Sequence, residues 1–474
     1  MWAFDLTQYD AVWKVVLNIG LLLAALLFGN MLRRVIPFLR KAFIPSALIG
    51  GVLIFVLNII VKAIIGTEII DRRIMQVVTY HALAVGFIAM SLKIVEKKKD
   101  GHGLHVVQNG LLTGGTYMLQ AVVGILVSLI FFWLGGSLFY DTGVLLPLGF
   151  GQGPGNALTW DMKFGEYGLT SDGSLGLTIA SVGFVVASVI GVIYINIYKR
   201  KGEIAPRTKN FIRAVTDFET NNEIEDSESV DKSSVQFAFV AVSYLLSFLI
   251  MVFFKKLTDW TGVKLFNDVA WGFNFIWGVI TATLIKKFMK FLKKKNVVKH
   301  KYINNYQMDR ISGFAFDLMI IAGVAAIDLQ VVKDYIWIIV ALCVVGTIVT
   351  TLYVKIITKL CFKGFRHESF LVNFGTLTGT ASNGMILLRE IDPNYETPTS
   401  NIFILSQFPA MLAVAPLLLL LNMSAKSYSG CLTALGIFGA LFIGYTVFLV
   451  LSARTVAKKQ LQSEGLDKKT QIGI

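Results

Sequence analysis

The sequence predicts an all-α polytopic membrane protein. Two inverted five-span repeats are expected, each with a re-entrant Gly-rich hairpin before its fifth span, plus one extra C-terminal span. Three observations predict this: a composition too apolar for a soluble domain, basic residues concentrated in alternate connections, and two Gly-rich stretches that echo each other. Of 474 residues, 55% are hydrophobic and 16% charged, against roughly 45–50% and about 25% in soluble domains. The mean hydropathy is +0.66.

About 20 apolar residues cross a roughly 30 Å hydrocarbon core. By that measure spans are expected near 11–32, 43–65, 74–94, 105–134 and 173–197, then near 236–254, 269–285, 311–332, 335–358 and 401–423. A last one is expected near 431–453. Residues 1–10 lack the positive n-region of a signal peptide, so the first apolar segment is expected to remain as a span. Between the two groups, residues 199–235 carry Glu219, Glu223, Glu225, Asp226, Glu228 and Asp231. Such low hydrophobicity keeps a segment solvated. The expected domains are therefore a first repeat (1–198), this cytosolic linker, a second repeat (236–423), and a C-terminal span with its tail (424–474).

The net charge of +14 sorts by connection. Arg33, Arg34, Arg40 and Lys41 follow span one, Lys97, Lys98 and Lys99 follow span three, and Lys199, Arg200, Lys201, Arg207 and Lys209 follow span five. The densest cluster runs from Lys286 to Lys301, after span seven. Opposite loops hold fewer, chiefly Arg72, Arg73, Lys255, Lys256 and Lys264. Basic loops stay in the cytoplasm, which puts the N-terminus outside and the C-terminus inside a cell membrane (plasma or inner). The charge is thus a topology signal, and no basic arm with interleaved aromatics points to nucleic acid. Each group has five spans, and five is odd, so the second group is upside down relative to the first. Cys343, Cys361 and Cys431 are isolated in sequence, which supports neither a disulfide framework nor a zinc site.

The two Gly-rich stretches read Phe150-Gly151-Gln152-Gly153-Pro154-Gly155-Asn156-Ala157 and Phe374-Gly375-Thr376-Leu377-Thr378-Gly379-Thr380-Ala381. Both fit F-G-x-x-x-G-x-A, and a glutamate follows each, Glu166 and Glu390. Gly and Pro interrupt a regular helix, and irregular backbone persists at membrane depth only inside protein or along a watery cavity. A Gly-rich stretch between spans can also be a plain surface loop, but apolar residues flank both of these. Hairpins are expected near 143–170 and 369–396, entering from opposite faces. Paired Gly-interrupted segments in two halves point to a secondary transporter's binding site. A weaker echo joins Ala84–Leu92 to Ile321–Leu329. An ion channel is the alternative class, but a filter usually presents one loop per subunit to a shared axis. An enzyme is not expected: HExxH and GxSxG are missing, and without a Walker A motif ATP is not the driver.

At this point the sequence resembles the bacterial sodium/glutamate symporters. Phe150-Gly151-Gln152-Gly153-Pro154-Gly155 resembles the family's Gly-rich segment before its fifth span, and Glu166-Tyr167-Gly168 its E/R-Y-G. Ile44-Pro45-Ser46-Ala47-Leu48-Ile49-Gly50-Gly51 resembles its I-P-x-x-x-x-G-G, and Asn383 matches the Asn on the inner arm of its second hairpin. The resemblance runs from about residue 40 to 423. Gln152 stands where many members have His, and Pro154 and Asn156 alter the hairpin tip, which bears on the identity of the anion. The longer linker and the last span also depart from the pattern. What the resemblance implies is sodium-driven uptake of L-glutamate by alternating access in a homodimer, with a mobile domain moving, elevator-like, against a dimerising scaffold. A sodium symporter of another organic anion, a dicarboxylate or an amino acid, stays open as the alternative.

Glutamate would bring two carboxylates and an ammonium, and sodium favours oxygen ligands. Half-helix N-termini suit the carboxylates, and unwound carbonyls and half-helix C-termini suit the cation. The expected substrate-binding residues are Gly153, Gly155, Asn156, Thr159, Thr380, Ser382 and Asn383; those for the co-transported Na+ are Gln152, Thr376, Thr378, Asn156 and Asn383. Ser and Thr at these places can instead cap or back-bond their own helices. Asp317 in span eight requires a partner, a cavity or a place near the interface. Arg389 either meets a substrate carboxylate, pairs with Glu390 or Asp392, or snorkels to the surface; Lys163 has the same choices. His81 in span three is expected to be packed and hydrogen-bonded.

Overall fold

The computed structural model describes residues 11–94, 103–135, 138–204, 232–262, 267, 270–297, 302–393 and 396–463. The acidic run 219–231 and the basic residues Lys97, Lys98, Lys99, Arg207, Lys209, Lys264, Lys299 and Lys301 lie outside these residues. Among the described residues every regular element is helical. In chain order the principal helices are α1 (Ala11–Val35), α2 (Ser46–Ile65), α3 (Arg72–Leu92), α4 (Gly103–Trp133), α5 (Leu145–Gln152), α6 (Pro154–Phe164) and α7 (Ser174–Arg200). They continue as α8 (Lys232–Thr261), α9 (Asn274–Lys294), α10 (Asn305–Ala325), α11 (Ile336–Cys361), α12 (Arg366–Thr378), α13 (Ala381–Ile391), α14 (Gln407–Lys426) and α15 (Tyr428–Ser463).

Nine of the described helices are long and apolar enough to cross a membrane. The expected spans near 269–285 and 311–332 are helical, as α9 and α10, but fall outside that set. Lys286, Lys287 and Lys290 lie in α9, and Asp309, Arg310 and Asp317 in α10. The chain divides into two compact units, Met1–Lys98 with Pro154–Met162 and Ala205–Leu329, and Lys99–Gly153 with Lys163–Ile204 and Gln330–Ile474. Each unit draws on both halves of the chain.

In the first unit, Pro45 at the N-cap starts α2 later than position 43, and Gly66 at φ 82° ends it with its N–H on Lys62 O. Gly50 and Gly51 let α2 close on α10: a Cβ on Gly51 would lie 2.7 Å from the Val324 Cβ. Asp71 caps α3 by accepting from the N–H groups of Arg73 and Ile74. Ile88, Ala89 and Leu92 of α3 pack with Val240, Ala282, Met308 and Ile311 from α8, α9 and α10. The expected span 311–332 is cut short, because α10 stops at Ala325. Arg72 explains the break: it donates to Ala326 O at 3.3 Å and pairs with Asp328 at 2.7 Å, fixing a polar turn there.

In the second unit α4 carries a buried polar stripe of Asn109, Thr116, Gln120 and Ser128. Around it pack α11, α14 and α15. The expected span 401–423 is also interrupted, into Thr399–Leu405 and α14, at Ser406. The Ser406 hydroxyl donates to Phe403 O and accepts from Asn109 Nδ2, both at 2.8 Å. Ahead of α5, the buried Asp141 carboxylate accepts from Ser424 Oγ at 2.7 Å and from Cys431 Sγ at 3.6 Å, tying α14 and α15 to that connection.

Candidate functional site at two helix breaks

Both Gly-rich stretches are breaks between helices. After α5 the backbone reaches φ 82°, ψ −178° at Gly153, a conformation open to glycine and strained for other residues. Pro154 then opens α6, where its missing N–H costs nothing. After α12 the chain turns at Gly379, and Thr380 is extended and caps α13, its hydroxyl accepting from Asn383 N–H at 3.4 Å. Gly379 leaves room for a side chain: a Cβ there would lie 2.5 Å from Asn383 Nδ2.

The expected site residues fall into two sets. Gly155, Asn156 and Thr159 belong to the first unit. There Gly155 packs on Leu83, Asn156 is 1% exposed, and Thr159 Oγ1 donates to Gly155 O at 2.8 Å. Gln152, Gly153, Thr376, Thr378, Thr380, Ser382 and Asn383 belong to the second unit. Gln152 ends α5 half-buried, and Ser382 is exposed in the first turn of α13. Thr376 and Thr378 donate to Val372 O and Phe374 O, each at 2.7 Å. Three of the expected threonines thus back-bond their own helices while keeping oxygen lone pairs. Asn383 is 6% exposed, and its buried Nδ2 meets no acceptor among the described residues.

Within the second unit one helix holds both breaks. Tyr117 of α4 donates its hydroxyl to Gly151 O at the end of α5. Gln120, one turn further, donates Nε2 to Leu377 O at the end of α12 (3.0 Å) and to Thr350 Oγ1 of α11 (2.8 Å). Gly183 of α7 faces Thr378 O and the Phe150 ring. Asn373 of α12 donates to Asn109 Oδ1 at 2.7 Å. The final carbonyls of α5 and α12 carry partial negative charge, and the first amides of α13 partial positive charge. Tyr117, Gln120, Asn109 and Asn373 were not singled out from sequence. The available signal was three amides, Gln108, Asn109 and Gln120, within a 31-residue helix long and apolar enough to span a membrane.

The charged candidates settle elsewhere. Glu390 pairs with Lys199 at 3.3 Å. Asp392 accepts from the N–H groups of Glu396 (2.8 Å) and Thr397 (3.0 Å). Arg389 is exposed, Lys163 half-buried in the last turn of α6, Glu166 exposed in the turn after it, and Asp317 half-buried within α10. His81 is hydrogen-bonded to Tyr244 OH at 2.5 Å and in edge-to-face contact with the rings of Tyr80 and Tyr244, as expected, although the residue as a whole is exposed.

The many long apolar helices define a polytopic membrane protein. Residues 12–368 match the sodium/glutamate symporter family, and the chain belongs to that family of sodium-coupled glutamate transporters. The match ends at Glu368 in the first turn of α12, so Thr376–Asn383 lie beyond it. No curated protein matches the chain.

Proposed function

We propose that the protein couples inward sodium flow to uptake of L-glutamate by alternating access, with a substrate carboxylate received at the start of α13. The observation that carries this reading is Asn383: a buried amide N–H donor without an acceptor among the described residues, in the first turn of a helix. Helix N-termini attract anions through free amides and the macrodipole, worth about 0.3–1 kcal/mol exposed and up to ~2 when partly buried. Thr380 already serves the Asn383 N–H, which leaves the amides of Ala381 and Ser382 for the ligand. Asn156, equally buried in the first turn of α6, is the second substrate candidate. Family membership supports sodium as the coupled ion.

The alternation of basic loops supports an N-terminus outside and a C-terminus in the cytoplasm. In that topology the breaks at Gly153 and Gly379 are corresponding points of inverted repeats, entering from opposite faces. The homodimer and the elevator-like motion belong to the same reading and rest on the family resemblance. Radiolabelled glutamate uptake into proteoliposomes, with and without an inward sodium gradient and competed by amino and dicarboxylic acids, tests it. Saturable uptake that stops when the gradient collapses is expected. Sodium-independent uptake, or an uncoupled ohmic current, would refute it.

A further inference from the structure

Gln120 lies midway along α4 and is fully buried. Its Nε2 uses both protons, on Thr350 Oγ1 and on Leu377 O. Its Oε1 is buried as well and meets no donor among the described residues. Leaving a buried carbonyl oxygen unpaired is costly, so the position asks for a positive partner. Its surroundings supply further oxygens. The last four carbonyls of α12 have no intrahelical donor, and they form the negative end of that helix. Leu377 O lies on Gln120 itself, and Thr378 O lies against Gly183 of the same unit. Tyr117, on the same face of α4 one turn away, holds Gly151 O at the end of α5. Two helix C-termini therefore come to one face of α4, and none of the residues in these contacts is basic.

The donor set is neutral oxygen, with the negative ends of two helices in place of a carboxylate. Calcium sites normally add carboxylates and magnesium keeps several waters, so this environment suits a monovalent hard cation. We propose that Gln120 Oε1 is a direct sodium ligand, acting with the main-chain carbonyls that end α12. The bonds to Thr350 and Leu377 orient the amide and turn its oxygen towards the ion. This assignment rests on the symport reading above and names its cation site.

The test is a sodium titration of glutamate uptake in proteoliposomes, at constant ionic strength with choline. Gln120→Met removes the oxygen at similar volume. Even outer partners of metal ligands are worth about 10–100-fold in affinity, so half-saturating sodium should rise at least about tenfold. The KM for glutamate at saturating sodium should stay within about twofold, since uniform loss of substrate binding is not expected. In detergent without glutamate, sodium should raise the wild-type unfolding temperature over choline, and this shift should vanish in Gln120→Met. An unchanged half-saturating sodium in the folded variant overturns the assignment. Should Gln120→Met not fold, Gln120→Glu decides: the carboxylate adds charge at the ion but gives up both Nε2 bonds, so a ligand role moves half-saturating sodium, and an unmoved value overturns it. A sodium-dependent wild type with unshifted variants removes this assignment alone. Wild-type uptake indifferent to sodium removes the symport reading and this assignment with it.

Discussion

Substituting Gly183 by alanine tests how closely the break after α12 is held. Gly183 lies on α7, and a Cβ there would fall inside 3.0 Å of Thr378 O, where ordinary contact begins at 3.4 Å. The neighbour is backbone rather than the end of a flexible side chain, so one of the two helices must shift. Overpacking of this kind costs about 1–3 kcal/mol. Against it stands the gain of alanine over glycine in a helix, about 0.8–1 kcal/mol. The net loss of stability is therefore small, roughly 0–2 kcal/mol. Function should suffer more, because a misplacement of about 1 Å at a site built for one geometry can cost about 100-fold. The assay compares thermal unfolding in detergent with sodium-driven glutamate uptake in proteoliposomes. Gly436→Ala on α15, where a Cβ would meet nothing within 4 Å, is the control. Uptake by Gly183→Ala equal to that of the control would refute the claim that the end of α12 is seated against α7.

Asn383→Ala should lower glutamate uptake efficiency by roughly tenfold or more, the value of a hydrogen bond to a charged group. Folded protein should persist in the membrane, and Asn156→Ala is expected to act in the same direction; wild-type uptake by both would show the substrate site misplaced. Asp141, in the connection between α4 and α5, has its pKa pushed up to about 7 by burial, partly offset by hydrogen bonds from Ser424 and Cys431. A carboxyl with a raised folded pKa favours the folded state most below its unfolded value, and that contribution is lost as pH rises towards about 7. Thermal unfolding followed from pH 4 to 8 should show this decline, and Asp141→Asn should flatten it; an identical slope in the variant counts against the mechanism. Arg72→Ala breaks the pair with Asp328 and the bond to Ala326 O, both partly buried, and should cost about 1 kcal/mol. Chemical or thermal unfolding of Arg72→Ala and Asp328→Asn measures it, and no shift in either would reduce the pair to a surface contact.

What the sequence determined by itself is everything that local chemistry decides. Runs of apolar residues long enough for a bilayer became helices, since within lipid each backbone must satisfy its own hydrogen bonds. Gly153 with Pro154, and Gly379 with Thr380, stopped one helix and started another because φ preference and capping act over only a few residues. The alternatives for Thr159, Thr376 and Thr378 were legible as well, and each hydroxyl bonds a carbonyl four residues back. Tertiary structure decided what pairs across long stretches of chain. That Arg72 would cut a helix at Ala326, that Ser406 would split another beside Asn109, and that Gln120 would meet Leu377 depend on partners more than 250 residues away. No periodicity encodes such pairs. A buried amide on an apolar helix announces only that it needs a partner, and packing chooses which helix end brings one.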